Sequence, residues 1–197
     1  RQYVYCSSRG VVAVAPADGS VLWTHPDWRI SIANVPSPVQ ADANRLFFTG
    51  GYGTGAMMLE VKEQNGAFTV TEEFRTGPDI FGSNQQTPIV LEQNIYGVIP
   101  SGELACIGLN GQIRWTSGRD RRFGLGPYMI AGDLLYALND MDGTLTLARA
   151  RPDAYRELAS AKISAGHDAW GPMALVGGRS LVRDMVTLYC LEVGGLE

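Results

Sequence analysis

Gly10-Val11-Val12-Ala13-Val14-Ala15-Pro16-Ala17-Asp18-Gly19-Ser20-Val21-Leu22-Trp23 decides the fold. An apolar run holds the small residue Ala13, Asp18-Gly19 marks a turn, and Trp23 follows Gly19 by four residues. Asp-Gly tolerates the positive φ that tight hairpins demand, so the stretch reads as two strands and a short loop. The design returns at Gly102-Glu103-Leu104-Ala105-Cys106-Ile107-Gly108-Leu109-Asn110-Gly111-Gln112-Ile113-Arg114-Trp115. Cys106 takes the place of Ala13, and Trp115 again follows a glycine by four. A third copy is read at Leu135-Tyr136-Ala137-Leu138-Asn139-Asp140-Met141-Asp142-Gly143, with Leu147 in place of the tryptophan. A looser fourth has Met57-Met58-Leu59-Glu60-Val61, Asn65-Gly66 and Val70, and a fifth begins at Leu188-Tyr189-Cys190. The tryptophans are expected to pack across to a neighbouring sheet.

A further strand precedes each hairpin and opens on a proline: Pro38, Pro88, Pro127 and Pro172, spaced by 50, 39 and 45 residues. Proline cannot donate to a strand ladder and belongs at a strand's first residue. Stretches 68–75 and 155–163 supply an outer fourth strand. The spacing is that of four-stranded propeller blades. The fold class is therefore an all-β β-propeller of four-stranded antiparallel blades, with four to five blades in residues 1–197. The blades are placed at 1–35, 36–76, 84–118, 124–165 and, in part, 170–197. Only 152–161 offers a turn or two of helix.

Composition narrows the function. A net charge of −4 argues against a nucleic-acid partner or an anionic membrane surface. No apolar stretch reaches the length of a transmembrane helix. Cys6, Cys106 and Cys190 are far apart, form no metal-ligand spacing, and read as three buried thiols. His25, at a strand end, reads as a surface residue. Arg119-Asp120-Arg121-Arg122 reads as a solvated loop. Gly50-Gly51-Tyr52-Gly53-Thr54-Gly55 has the look of a phosphate loop but lacks lysine and leads into a strand, so it reads as a hairpin loop.

The repeated pattern of alanine, apolar residues, glycine and tryptophan resembles the pyrrolo-quinoline-quinone (PQQ)-like repeat of bacterial propellers. That superfamily includes quinoprotein alcohol dehydrogenases and the outer-membrane-assembly propeller lipoprotein. The resemblance implies a ring of seven or eight blades of which this chain is a part, with a closed four- or five-bladed ring as the alternative. It also implies a periplasmic or extracellular location. In the enzymes it implies PQQ held over a tryptophan, beside calcium bound by Glu, Asn and Asp. No vicinal cysteine pair stands here, and no calcium set can be matched.

What the repeat leaves free are the loops that lead into each proline-marked strand. They carry Asp27, Trp28, Arg29 and Asn34; Asp79, Phe81, Asn84, Gln85 and Gln86; Arg121, Arg122 and Phe123; and His167, Asp168 and Trp170. Every blade runs in the same sense, so these loops should converge at one mouth of the channel, the default place for a ligand. The candidate ligand residues are Arg29, Asn34, Gln85, Gln86, Arg122, His167, Asp168 and Trp170, with no catalytic or metal-binding residue assigned. The expected function is a non-catalytic scaffold for a protein segment or small molecule, without cofactor and without a membrane span. The alternative is a piece of a quinoprotein oxidoreductase that uses PQQ and calcium. An open arc of blades should also self-associate through its edges.

Overall fold

The computed structural model describes residues 1–165 and 167–194. It is all-β, with five antiparallel sheets in chain order, the blades of a propeller. Blade 1 contains β1 (Tyr3–Ser7), β2 (Gly10–Val14) and β3 (Val21–His25). Blade 2 contains β4 (Val39–Gln40), β5 (Arg45–Gly50), β6 (Gly55–Gln64) and β7 (Ala67–Thr76). Blade 3 contains β8 (Ile89–Leu91), β9 (Asn94–Val98), β10 (Leu104–Gly108) and β11 (Ile113–Thr116). Blade 4 contains β12 (Tyr128–Ala131), β13 (Leu134–Leu138), β14 (Thr144–Arg149) and β15 (Glu157–Lys162). Blade 5 contains β16 (Ala174–Val176), β17 (Arg179–Arg183) and β18 (Leu188–Glu192).

Every sheet is a meander in which each strand pairs with the next in sequence. The proline-marked strand comes first in blades 2 to 5, and the tryptophan-bearing strand comes last in blades 1 and 3. Ala13 faces Trp23 across β2 and β3, and Cys106 faces Trp115 across β10 and β11. The register then slips by one residue in both pairs. The same bulge follows Met58–Phe74 in blade 2 and Leu147–Ala159 in blade 4. A bulge sharpens twist and re-aims a side chain, so it fixes which residue of the fourth strand reaches the next blade.

That register corrects two sequence readings. The tryptophan place is filled by Phe74 in blade 2 and by Ala159 in blade 4, not by Val70 and Leu147. The third copy is a hairpin of a different kind: it joins the second and third of blade 4's four strands, whereas the Trp23 and Trp115 hairpins join the last two strands of their blades. Residues 152–161 form no helix and run into β15.

Alternation of side chains across each strand gives every sheet two faces. Four apolar cores lie in the four seams between consecutive blades. Trp23, Trp28, Phe48 and Met57 fill the first, and Phe47, Met58, Phe81 and Ile107 the second. Tyr96, Cys106, Trp115 and Leu135 fill the third, and Leu138, Ala169 and Val182 the fourth. Trp115 Nε1 donates to the Arg151 carbonyl of blade 4 at 2.8 Å, so this tryptophan bridges a seam. Trp23 Nε1 donates within its own blade, to Gln2 Oε1 at 2.6 Å. Gly111, with φ of 77°, turns the β10–β11 hairpin, and a Cβ there would press on the Phe74 ring.

Cys6 and Cys106 are buried, and burial pushes both thiols up to about 11. Cys190 is exposed, contrary to the sequence reading. It occupies the place of Cys106, but no further blade covers its face among the described residues. His25 is half-buried rather than a surface residue: its Nε2 lies 3.5 Å from Glu72 Oε2 of blade 2.

Candidate functional site

An antiparallel meander puts the loop between its second and third strands at the same end as the exit of its fourth. Each blade-to-blade loop therefore lies beside these hairpins. Each loop is anchored by a buried apolar side chain near its middle: Trp28, Phe81, Phe123 and Ala169. Phe81 meets Phe47 edge-on, with ring centroids 5.5 Å apart. The aromatics that sequence reading grouped with ligand-facing residues at Trp28, Phe81 and Phe123 are thus plugs of the seams.

At this end, over blades 3, 4 and 5, lies a cavity of about 480 Å³. The loop from blade 2 to blade 3 contributes 83–86, and the β9–β10 hairpin contributes 98–102. Arg122, Gly124 and Leu125 come from the loop between blades 3 and 4, and 139–141 from the β13–β14 hairpin. Asp168 and Trp170 come from the loop before blade 5. Val98, Ile99, Pro100, Leu125, Met141 and the Trp170 ring supply apolar surface, beside amides, hydroxyls, carboxylates and one guanidinium.

The loops are tied to one another at this rim. Gln86 Nε2 donates to the Leu125 carbonyl at 3.2 Å and to the Trp170 carbonyl at 3.1 Å, joining three loops through one amide. Asn139 Nδ2 donates to the Arg122 carbonyl at 2.8 Å. Phe123 N–H donates to the Gly102 carbonyl at 2.6 Å.

Asp140, on the cavity wall, is only 3% exposed. Trp170 Nε1 donates to its Oδ2 at 2.9 Å. Its Oδ1 is buried and has no hydrogen-bond partner among the described residues. Oδ1 lies against Gly124, where a Cβ would collide with it; Gly124 has φ of 60°. The loop before blade 5 is fastened to this residue as well, since Ala169 N–H donates to the Asp140 carbonyl at 3.3 Å. Asp168 takes a φ of 55°, uncommon for a residue with a Cβ, and its carbonyl accepts from Trp170 N–H at 2.9 Å.

Of the residues picked from sequence, Gln85, Gln86, Arg122, Asp168 and Trp170 line this cavity. His167 is exposed beside it, its Nδ1 2.8 Å from Asp168 Oδ2. Arg29 and Asn34 do not line it. Arg29 Nε donates to the Pro26 carbonyl at 3.4 Å, and Asn34 Nδ2 to the Cys6 carbonyl at 3.1 Å, both in the loop between blades 1 and 2. Asn139 and Asp140 were hidden because their stretch was read as a strand-three hairpin, whose turn points to the opposite end. The slip in strand count is what concealed them.

Trp23, Trp28 and Trp115 are buried inside seams and present no free ring face. Among the described residues, no group of three or more His, Cys, Asp or Glu side chains could hold a metal ion. Among them too, no helix is long and apolar enough to cross a membrane.

No protein-family model matches the chain, and no curated protein matches it. Among solved structures it is similar to the computationally designed Ika8 protein, at 9% identity and a TM-score of 0.66. That match covers 98% of this chain and 55% of the designed one, so the chain spans about half of that protein's length. At this identity the likeness concerns the fold alone. A second match, BamB from Moraxella catarrhalis, has 10% identity over 96% of this chain and 68% of that one. Its TM-score of 0.49 is too low to carry weight.

Proposed function

We propose that the protein is a binding propeller, not an enzyme, and that it takes a polar ligand in the cavity over blades 3 to 5. The ligand is a protein segment or a small molecule that carries a hydrogen-bond donor. The observation behind this reading is Asp140, a buried carboxylate at the cavity wall with one oxygen held by Trp170 and the other without a partner. A buried polar atom left unpaired costs about 1–3 kcal/mol, and a ligand hydroxyl, amide or ammonium reaching Oδ1 would remove that cost. The volume lies within the usual range for ligand pockets, about 300–1,000 Å³. The repeat's resemblance to extracytoplasmic propellers supports a periplasmic or extracellular setting for this reading.

Trp170 makes the test direct. It is the one tryptophan with an exposed ring, so its fluorescence reports on the cavity. Wild-type protein is titrated with a panel of amino acids, amino sugars and short extended peptides. At least one class should shift the emission saturably. Asp140→Asn should then weaken that ligand at least tenfold by calorimetry, about 1.4 kcal/mol. A panel that leaves Trp170 unmoved, or equal affinity in Asp140→Asn, would sink the reading.

A further inference from the structure

Two consecutive arginines in the loop between blades 3 and 4 have different surroundings. Arg121 Nε lies 2.8 Å from Glu157 Oε2 of β15, which matches its charge. Arg122 lines the cavity over blades 3 to 5, and among the described residues its guanidinium has neither an ion pair nor a hydrogen bond. The cavity's carboxylates divide in the same way. Asp168 Oδ2 lies 2.8 Å from His167 Nδ1. Asp140 meets only a neutral donor: Trp170 Nε1 donates to Oδ2, and Oδ1 has no partner among the described residues.

The two unpaired charges are brought near one another by the backbone. The Arg122 carbonyl accepts from Asn139 Nδ2 at 2.8 Å, beside Asp140 in the chain. Asp140 Oδ1 in turn lies against Gly124, two residues beyond Arg122. Yet among the described residues no ion pair joins Arg122 to Asp140. A carboxylate taken out of water without a cation is costly. The same cavity offers the apolar surface of Ile99, Pro100 and Leu125.

We propose that the ligand of this cavity is a zwitterion with an apolar body. Its ammonium group meets Asp140 Oδ1, its carboxylate meets the Arg122 guanidinium, and its body lies against Ile99, Pro100 and Leu125. An apolar amino acid has this chemistry, and so does a short peptide with free termini. The inference rests on the cavity being the binding site and adds the charges that the ligand carries. A lone cation would leave Arg122 unmatched and share the cavity with its like charge; a lone anion would do the same at Asp140. A dipolar ligand satisfies both, through charge-assisted hydrogen bonds to the carboxylate and to the planar guanidinium fork.

Calorimetry on the full chain tests this with one tripeptide, alanyl-leucyl-alanine, in four forms: free, N-acetylated, C-amidated and blocked at both ends. The free form should bind, and blocking either end should weaken it about tenfold or more, the order expected for a lost bond to a charged group. Free leucine is measured beside it: tighter binding of leucine identifies an amino acid as the source of the zwitterion, and tighter binding of the tripeptide identifies a peptide. Arg122→Gln replaces an exposed side chain and should bind the free and amidated forms alike. Asp140→Asn should bind the free and acetylated forms alike. A doubly blocked tripeptide that binds wild type as tightly as the free one, and is weakened by Asp140→Asn, would overturn the charge assignment and leave the cavity as the binding site. So would leucine and tripeptide that fail to bind while glucosamine shifts Trp170 emission. Silence from every probe would overturn both readings.

Discussion

The third and fourth seams are built from opposite materials. Between blades 3 and 4, Trp115 lies between Tyr96 and Tyr155, with ring centroids 6.0 and 5.8 Å apart, over a floor of Leu104, Tyr128 and Leu135. Between blades 4 and 5 the apolar residues shrink to Leu138, Ala169 and Val182. A polar bond takes their place: buried Asp184 of blade 5 accepts across the seam from Ser164 Oγ at 2.6 Å, and Tyr189 Oη at 2.9 Å and the Val186 and Thr187 N–H groups of its own hairpin hold it there. Aromatic burial is non-directional and fills space. Hydrogen bonds to a carboxylate are directional and leave space. Ala169 stands where the other loops carry Trp28, Phe81 and Phe123, and the cavity opens beside this smallest plug. The seam that binds least tightly is therefore the one with room for a ligand.

The largest effect should come from the aromatic seam. Trp115→Ala removes a buried ring from between two others and should cost about 3–5 kcal/mol in urea denaturation. Trp115→Phe keeps a ring but loses the bond to the Arg151 carbonyl, and should cost about 1–2 kcal/mol. If both variants cost the same, the hydrogen bond rather than the packing joins these blades, and the contrast between the seams fails.

The polar seam should instead respond to acid. Asp184 is held well below its ordinary value of 3.8, chiefly by the Ser164 hydroxyl and then by the Val186 and Thr187 N–H groups. A carboxyl held low in the folded state stabilises fully above its unfolded value, and that contribution is lost as pH falls through the folded one. Melting temperature should hold steady above about pH 5 and drop below pH 4. Asp184→Asn should lower the neutral-pH melting temperature and flatten the acid drop, with faster hydrogen exchange in blade 5 than in blade 3. An unchanged acid profile in this variant would mean that other carboxylates, such as Asp42 beside Arg45 or Glu72 beside Arg75, carry the effect.

These seams also show what a sequence can and cannot disclose. The Gly-to-Trp hairpins and the proline spacing made the blades legible, because turn chemistry and strand edges are local. The third copy misled because Ala137 to Gly143 has the same spacing as Ala13 to Gly19 while joining different strands. Spacing within a hairpin carries no count of the strands before it. Gln85, Gln86, Arg122, Asp168 and Trp170 could be found because loop direction follows from the meander. Asp140 could not, since its importance lies in one oxygen that Trp170 reaches from 30 residues away and another that nothing reaches. The exposure of Cys190 is likewise a property of its neighbours: the same strand position is buried in blade 3 and bare in blade 5.

The smallest stability effect should be the most informative. Trp170 is 40% exposed and holds Asp140 by a single bond at the cavity rim. If the fourth seam is built for access, water enters where the Trp170 ring stood and takes over its bond to Asp140, so Trp170→Ala should cost about 1 kcal/mol, the net worth of one hydrogen bond. Yet it should speed exchange of the Ala169 N–H bonded to the Asp140 carbonyl and abolish ligand binding by calorimetry. A tryptophan that only stapled blades would behave otherwise. Its loss would approach that of Trp115, and any fall in affinity would track the fall in stability. Comparing the two truncations under one set of conditions separates these cases: a ratio of costs near one makes Trp170 a second staple, and a large ratio leaves it as part of the binding surface.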